Sequence, residues 1–414
     1  MRFRHILLFT IIMAIIAACS EEPVIVPPQG YPSTPARDLP VSINAEPDAQ
    51  TVPTAVANTV IQSADAEYML LTNIFERISP SVVNIEADVP KESGGLSTNR
   101  GSGFVFDRLG HIVTSAHIVN NASTIRVTFN DGYLTEGTIV GLDTYSDLSV
   151  IRVVVDTDRL RPAAIMADSE QVRVGQRAIA IGNPFGLSSS MSAGIVSGVG
   201  RTLLSAQLID TNAIPGFQNP SIIQTDTPIN PGSSGGPLLN SFGEVMGVST
   251  AIRSDSGVFA GVGFAVPANT VRRVVPELID TGTVDYAWVG IFVTPEDNGF
   301  GVAGLAEALE LPVQSGVLIR GITVGSPADV TGLRGGTFIR EVRGQQICAG
   351  GDIIVAINGT YVHNLHEMVN YLLVNTKPGD TVTLQVVRGG SSFEVPMTLI
   401  SRPEEEARVR DCEG

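Results

Sequence analysis

From Ser81 onward the chain is a succession of short β-branched and aliphatic runs, each closed by glycine, proline or asparagine. Ser81-Val-Val-Asn-Ile-Glu-Ala87 alternates as a half-buried strand does. Gly101 to His117 reads as a hairpin, two β-rich runs about a turn at Asp107–Gly110, with His111 an exposed turn residue. Ile125–Phe129, Gly137–Leu142 and the run opened by Asp147 complete a first set of strands. Ala178–Ile181, Ser192–Gly198, Ile222–Asp226, Val245–Ala251 and Gly261–Val266 make a second. Pro90–Arg100 and about Thr202–Pro220 read as polar loops. Many short strands with glycine turns predict an all-β barrel or sandwich. Helical spacing occurs twice: Tyr68, Leu71, Phe75 and Ile78 fall on one face before Pro80, and Asn269–Thr281 reads as a closing helix.

The pattern changes at both ends. Met1–Ala18 carries Arg2 and Arg4, then the apolar run Ile6–Ile16, which is short for a membrane span and typical of a secretory signal. Its end, Ile16-Ala-Ala-Cys19-Ser20, resembles a bacterial lipobox, which implies cleavage before Cys19 and lipidation of that cysteine. Residues 19–63 are rich in Pro, Ala, Thr and Val without periodicity and read as a disordered tether. Beyond about Asp285 the runs Trp288–Val293, Gly316–Arg320, Gly325–Leu333, Gly351–Gly359, Leu365–Leu373 and Thr381–Arg388 mix strand and helix.

Composition narrows the function classes. At 414 residues, with 43% apolar and 16% charged positions, the chain has room for two or three domains with sizeable cores. A net charge of −16 without any Lys/Arg-rich run argues against nucleic acid. Three cysteines are too few for a disulfide framework or a thiolate metal site. With Cys19 in the leader, a Cys348–Cys412 pair is left open, since sequence gives no geometry. His363 and His366 are read as a polar helix start; the stretch His366–Asn370 lacks the second histidine of a zinc-protease helix.

The candidate chemistry centres on Asn230-Pro-Gly-Ser-Ser-Gly-Gly-Pro-Leu238. Glycines around Ser234 allow a turn that aims the N–H groups of Gly232 and Ser234 into one space, an oxyanion hole beside a hydroxyl nucleophile. Such a hydroxyl needs a base and an orienting acid. His117 follows a strand and Asp147 opens one.

Taken together, Gly101-Ser-Gly103, Thr114-Ser-Ala-His117, Ser146-Asp-Leu-Ser-Val150, Gly182-Asn-Pro-Phe-Gly186 and Gln224 to Leu238 resemble the trypsin-like serine proteases of the bacterial HtrA/Deg group. The region from 285 resembles a bacterial-type PDZ domain. The resemblance covers about Leu70 to Leu399 and implies a mostly β fold: a chymotrypsin-like double six-stranded β-barrel followed by an α+β PDZ domain. The implied organisation is a lipoprotein signal peptide at 1–18, a tether at 19–63, a protease domain at 64–284, a PDZ domain at 285–401 and a tail at 402–414. It implies that His117, Asp147 and Ser234 form the catalytic triad, that Gly232 and Ser234 hold the oxyanion, and that Ile229 floors the specificity pocket. It implies that Val289, Gly290, Ile291 and Val293 take a peptide's C-terminus as an added strand, beside the Leu365–Leu373 helix. Implied partners are unfolded proteins or peptides, C-terminal peptides, a membrane through the lipidated N-terminus, and two further copies in a homotrimer to which the Tyr68–Ile78 face contributes. No cofactor, metal or nucleic acid is implied, and the location is extracytoplasmic, in the cell envelope. The chain departs from the family at Ser233, usually Asn, and in the long stretch Gly335–Gly350. An apolar pocket floor implies cleavage after small or medium aliphatic residues rather than Lys or Arg. A non-catalytic, chaperone-like peptide-binding lipoprotein is the rival reading. A protease dormant until its PDZ domain is occupied is a third.

Overall fold

A computed structural model describes residues 58–414, except 92, 163–164, 185–188, 205–217, 231, 253–260, 295, 297–298, 404–407 and 413–414. The signal peptide, Cys19 and most of the tether lie outside the described residues. Among the described residues no helix is long and apolar enough to cross a membrane.

Helix α1 (Asn58–Ile78) runs across the expected tether boundary at 63/64. Ile74 and Ile78 are buried, with Leu71 and Phe75 packed against the same core. Tyr68, on the same stripe, is 69% exposed. Residues 65–70 are exposed, although Glu67 pairs with Arg177 of the second barrel at 2.8 Å.

Twelve strands follow: β1 (Val82–Pro90), β2 (Leu96–Val105), β3 (His111–Ser115), β4 (Thr124–Thr128), β5 (Leu134–Asp143) and β6 (Leu148–Val153), then β7 (Arg177–Gly182), β8 (Ser190–Leu204), β9 (Gln218–Thr225), β10 (Pro237–Leu239), β11 (Val245–Ile252) and β12 (Gly263–Pro267). They close into two antiparallel barrels, β1-β2-β3-β6-β5-β4 and β10-β11-β12-β9-β8-β7. The period of two sorts each strand between two cores. In β6, Leu148 and Val150 face a core shared by the barrels while Ile151 and Val153 fill the first barrel. In β7, Ile179 and Ile181 join the shared core while Ala178 and Ala180 fill the second barrel. Burial on both faces is why these strands read as nearly continuous apolar runs. Helix α3 (Ala268–Thr281) covers the shared core with Val271, Val274, Val275 and Leu278, and Gly282 ends it by returning its N–H to Leu278 O at 3.1 Å.

Two sequence expectations change. Strand β2 begins at Leu96, inside the expected polar loop. Its polar residues lie on an exposed half of the ladder, where Arg100 pairs with Glu86 at 2.9 Å and Thr98 with Asp88 at 2.7 Å across β1. His111 is 7% exposed rather than on an open turn; it starts β3, and its Nδ1 lies 2.6 Å from Asp107 Oδ2.

The C-terminal region contains β13 (Ala287–Trp288), β14 (Ile291–Val293), α4 (Val302–Leu305), β15 (Val317–Thr323), α5 (Pro327–Val330), β16 (Phe338–Val342), β17 (Gln345–Ala349), β18 (Ile353–Ile357), β19 (Thr360–Tyr361), α6 (Leu365–Asn375), β20 (Thr381–Arg388), β21 (Ser391–Thr398), β22 (Ile400–Ser401) and β23 (Val409–Arg410). Its main sheet runs β14-β15-β18-β20-β21. The long Gly335–Gly350 stretch is a hairpin, β16 on β17, turned at Arg343 and Gly344, both with positive φ (50° and 79°). Val342, Ile347 and Ala349 of that hairpin bury a small core with Phe300, Val302 and Leu305.

Residues 409–410 pair with β15, and Cys412 is disulfide-bonded to Cys348 with a Cα–Cα distance of 5.7 Å. The pairing left open by sequence is present and ties the tail to the hairpin. For a 64-residue separation, chain entropy gives about 4 kcal/mol as an upper figure. Cys348→Ser is expected to lower the melting temperature of this domain by roughly 10 °C or more in a calorimetric scan. Reductant should act equally on the wild type, and a scan unmoved by either would show the bridge to be thermodynamically idle.

Candidate active site

The end of β3 delivers His117. After Ser115 the chain turns into a single-turn helix, α2 (Ala116–Val119), which carries the imidazole out of the first barrel; its side chain is 23% exposed. β6 starts one residue after Asp147, which is fully buried and has a left-handed backbone, φ 56°. That conformation costs a non-glycine residue about 1–2 kcal/mol and needs outside support.

The two residues meet through several bonds. Asp147 O accepts the Ala116 N–H at 3.1 Å, and Asp147 Oδ1 accepts the His117 N–H at 2.9 Å. His117 Nδ1 lies 3.0 Å from Oδ1 and 2.9 Å from Oδ2. The Thr250 hydroxyl, from β11 of the second barrel, also donates to Oδ2. A carboxylate accepting at Nδ1 fixes the tautomer with its proton there and leaves Nε2 as a proton acceptor. Burial disfavours the imidazolium, but the charge of Asp147 and its hydrogen bond outweigh that, so the pKa of His117 is raised above its ordinary value.

Ser234 sits in a turn of the second barrel docked onto the first. Its carbonyl accepts the Ser102 N–H at 2.7 Å, and the Gly235 N–H donates to Ser249 O at 2.6 Å. Gly235 has φ 86°, and a Cβ there would lie 2.1 Å from Ser102 O and 2.5 Å from Thr114 Oγ1, three residues before His117. Gly232 is equally constrained: φ is 92°, and a Cβ would meet Pro184 at 2.7 Å. Its carbonyl accepts the Ser102 hydroxyl at 2.6 Å, and that hydroxyl oxygen accepts the Asn183 N–H at 2.8 Å. Among the described residues the N–H groups of Gly232 and Ser234 find no backbone acceptor. Among the same residues no hydrogen bond joins His117 to the Ser234 hydroxyl; such bonds are often long without substrate.

Ser233 packs against the end of β7, where its Oγ would be 3.1 Å from a Cβ on Gly182. The next residue, Asn183, is fully buried with both amide atoms unpartnered, at a cost of about 1–3 kcal/mol. Ile229 is 1% exposed and packs on Gly263 of β12, so the wall beside the turn is apolar.

In the C-terminal domain, Val289 is buried and its carbonyl accepts the Ala328 N–H at 2.9 Å. Gly290 O accepts Thr323 N–H at 2.9 Å and the Ser326 hydroxyl at 3.2 Å. Ile291–Val293 form the end strand of the sheet, leaving one edge of β14 open for pairing among the described residues. Glu296 accepts the Leu365 N–H at 3.0 and 3.1 Å and so caps the neighbouring helix α6. His363 pairs with Glu367 at 2.8 Å. Among the described residues no group of three His, Cys, Asp or Glu is placed to hold a metal ion.

Sequence reasoning missed Thr250, whose contact with Asp147 spans 103 positions and has no local signature. It quoted Ser102 without a role; the signal was its place between two glycines, where both sides of the strand approach other backbone.

Two barrels meeting along a shared core, with these side chains at the seam, define the trypsin-like class of peptidase. A family model for the trypsin-like peptidase domain matches residues 101–248, and one for the PDZ domain matches 288–399. The chain is 34% identical over 367 residues to the chloroplast Protease Do-like 1 of Arabidopsis thaliana, covering 87% of this chain and 78% of that protein. It is 32% identical to the periplasmic pH-dependent serine endoprotease DegQ of Escherichia coli, over 83% of this chain and 73% of that one. To a probable periplasmic DegP-like endoprotease of Chlamydia trachomatis it is 39% identical over 74% of its length, but spans only 55% of that relative. Among solved structures, the HtrA-type protease AlgW with a tripeptide superposes with a TM-score of 0.62 at 29% identity, covering 81% of this chain and 98% of that one. The chain therefore belongs to the HtrA/Deg family of serine endoproteases.

Proposed function

We propose that the chain is an extracytoplasmic serine endopeptidase that hydrolyses unfolded or misfolded proteins through an acyl-enzyme. The observation that carries this is the His117 Nδ1 contact with both Asp147 oxygens, on the barrel to which the Ser234 turn is also held. Ser234 Oγ attacks the peptide carbonyl while His117 Nε2 takes its proton. Asp147 stabilises the resulting imidazolium, and the N–H groups of Gly232 and Ser234 receive the oxyanion. His117 returns the proton to the leaving amine, and water, deprotonated by the same imidazole, releases the acyl group.

The PDZ domain takes C-terminal peptides. Val289, Gly290 and Ile291 offer backbone to the terminal carboxylate, and Val293 continues the strand along which the peptide adds. A periplasm-facing or cell-surface location, a lipid anchor at Cys19 and a trimer complete the reading. Its supports are the periplasmic relatives and the N-terminal sequence pattern. The domain organisation is that stated from sequence, with the ordered body starting at helix α1 and the 402–414 tail counted with the PDZ domain it pairs with. Casein digestion comparing the wild type with Ser234→Ala tests the assignment; equal turnover would leave a peptide-binding, chaperone-like protein.

The buried Ile229 supports an apolar specificity pocket. A cationic side chain there would be desolvated without a partner. A peptide-library digest is expected to be led by Val, Ala or similar residues at the cleaved position, with Lys and Arg at least ~10-fold lower. A profile led by Lys or Arg would refute the pocket assignment.

A further inference from the structure

The turn that precedes Asp147 is built around a second buried acid. Asp143 Oδ1 accepts the Tyr145 N–H at 3.2 Å, while Oδ2 accepts the Ser146 N–H at 2.9 Å and the Ser146 hydroxyl. Those bonds fix the three residues that lead into the left-handed backbone of Asp147. The last donor to Oδ2 comes from elsewhere: it is the hydroxyl of Tyr286, 143 positions away.

Tyr286 lies on the linker between the closing helix and the PDZ domain. Its ring stacks on Tyr145, centroids 5.1 Å apart, and its carbonyl accepts the Arg402 N–H at 3.1 Å, just after β22. Arg402 in turn lies over the Tyr145 ring. One residue earlier, the Asp285 N–H donates to Glu277 of α3 at 2.8 Å, and the Asp285 carboxylate accepts the Ser401 hydroxyl at 2.8 Å. The linker is therefore held by α3 on one side and β22 on the other. It reaches the turn before Asp147 through the tyrosine hydroxyl. Val289, where the peptide-binding backbone begins, is three residues further on.

We propose that Tyr286 is a positioning residue for the Asp147 carboxylate, and that through its hydroxyl on Asp143 the interdomain linker sets how well that carboxylate holds His117. Asp143 needs this donor. A buried carboxylate loses its hydration, and each protein donor replaces part of it. Burial raises the pKa of Asp143 against the pull of its donors. Burial, then the charge of Asp143, raises that of Tyr286 well above the phenol range, which keeps the hydroxyl a donor at neutral pH. Without it the turn must find another partner for Oδ2, and the residue that yields is the strained one beside it, Asp147. A displacement of a few tenths of an ångström there weakens the charge and the hydrogen bond that raise the pKa of His117.

The inference rests on the serine-peptidase reading, and its test separates the two. The experiment compares full-length wild type, Tyr286→Phe and Ser401→Ala by NMR titration of the His117 Nδ1 proton and by kcat and KM on a fluorogenic peptide. Phenylalanine keeps the ring on Tyr145 and removes only the hydroxyl. Tyr286→Phe is expected to lower the His117 pKa by about half a unit and kcat by ~3–10-fold, with KM unchanged. Ser401→Ala loosens the same linker without touching Asp143 and should move neither. An unchanged His117 titration in Tyr286→Phe overturns the inference, even if the protein melts earlier. So does an equal shift in Ser401→Ala, which would mean general loosening. A wild type that turns over no substrate, yet shows the Tyr286→Phe shift, would sink the peptidase reading and leave the positioning role standing.

Discussion

Ser234→Ala will fold as the wild type does and lose essentially all turnover, with kcat down ~10⁶-fold. The bonds that hold the turn are made by backbone: the carbonyl of Ser234 to Ser102 and the N–H of Gly235 to Ser249. Alanine keeps both. Ser234 is only half-buried, so trimming one oxygen opens no core cavity. What vanishes is the atom that forms the acyl-enzyme. The oxyanion donors remain, so a residual rate some 10³–10⁴-fold above uncatalysed hydrolysis is the expected floor. The measurement is single-turnover cleavage of a quenched peptide, with a melting curve as control. A melting point close to wild type together with undiminished cleavage would remove Ser234 from the mechanism.

Asp147→Asn should cost ~10⁴-fold in kcat at neutral pH. The amide keeps the shape but brings its own N–H groups to a site already filled by donors: the His117 main chain, the His117 ring and the Thr250 hydroxyl. One donor must turn away, and the freest is the imidazole, which then presents the wrong nitrogen to Ser234. The pH profile carries a second signature. His117 must be neutral to accept a proton, and its folded pKa is raised, so wild-type kcat/KM should fall on acidification through a point above ~6.5. In Asp147→Asn the influences that raise the pKa are gone while burial remains, so the residual activity should persist to lower pH. Stability runs the other way. A raised histidine pKa contributes stability that is fully present below ~6.5 and lost as pH rises through the folded value. The enzyme should therefore gain activity over the same interval in which this pair contributes less to the fold. An acid limb at the same pH in both proteins would contradict the pairing.

Much of this site could be read in the chain itself. Glycines at 232 and 235 mark backbone that a side chain would obstruct: a Cβ would lie 2.7 Å from Pro184 and 2.1 Å from Ser102 O. His117 follows a strand and Asp147 opens one, but their joint role is legible only through the motifs that resemble the HtrA/Deg group. Short strands punctuated by glycine point to an all-β barrel or sandwich; the double barrel comes only with the family resemblance. What could not be read is what depends on partners far along the chain. The polar start of β2 looks like loop until Glu86 and Asp88 are set opposite it. Tyr68 completes a helical stripe, yet no neighbour covers it. The Arg343-Gly344 turn lacks the asparagine–glycine pair that usually marks a tight hairpin, so β16 and β17 passed as an irregular insertion. Thr250, Asp143 and Tyr286 carry no local mark at all, because a hydroxyl or carboxyl acquires a role only from what folding puts beside it.

The proposed catalytic parts come from different barrels: the imidazole and its acid from the first, the hydroxyl and Thr250 from the second. A ribosome releasing this polypeptide would expose the first barrel well before residue 234 exists outside the exit tunnel. Until then the nascent chain has no means of cutting itself or its neighbours. Placing the scissors' two blades on separately formed bodies makes destructive capacity the last property the molecule acquires, a safeguard of timing that needs no inhibitor.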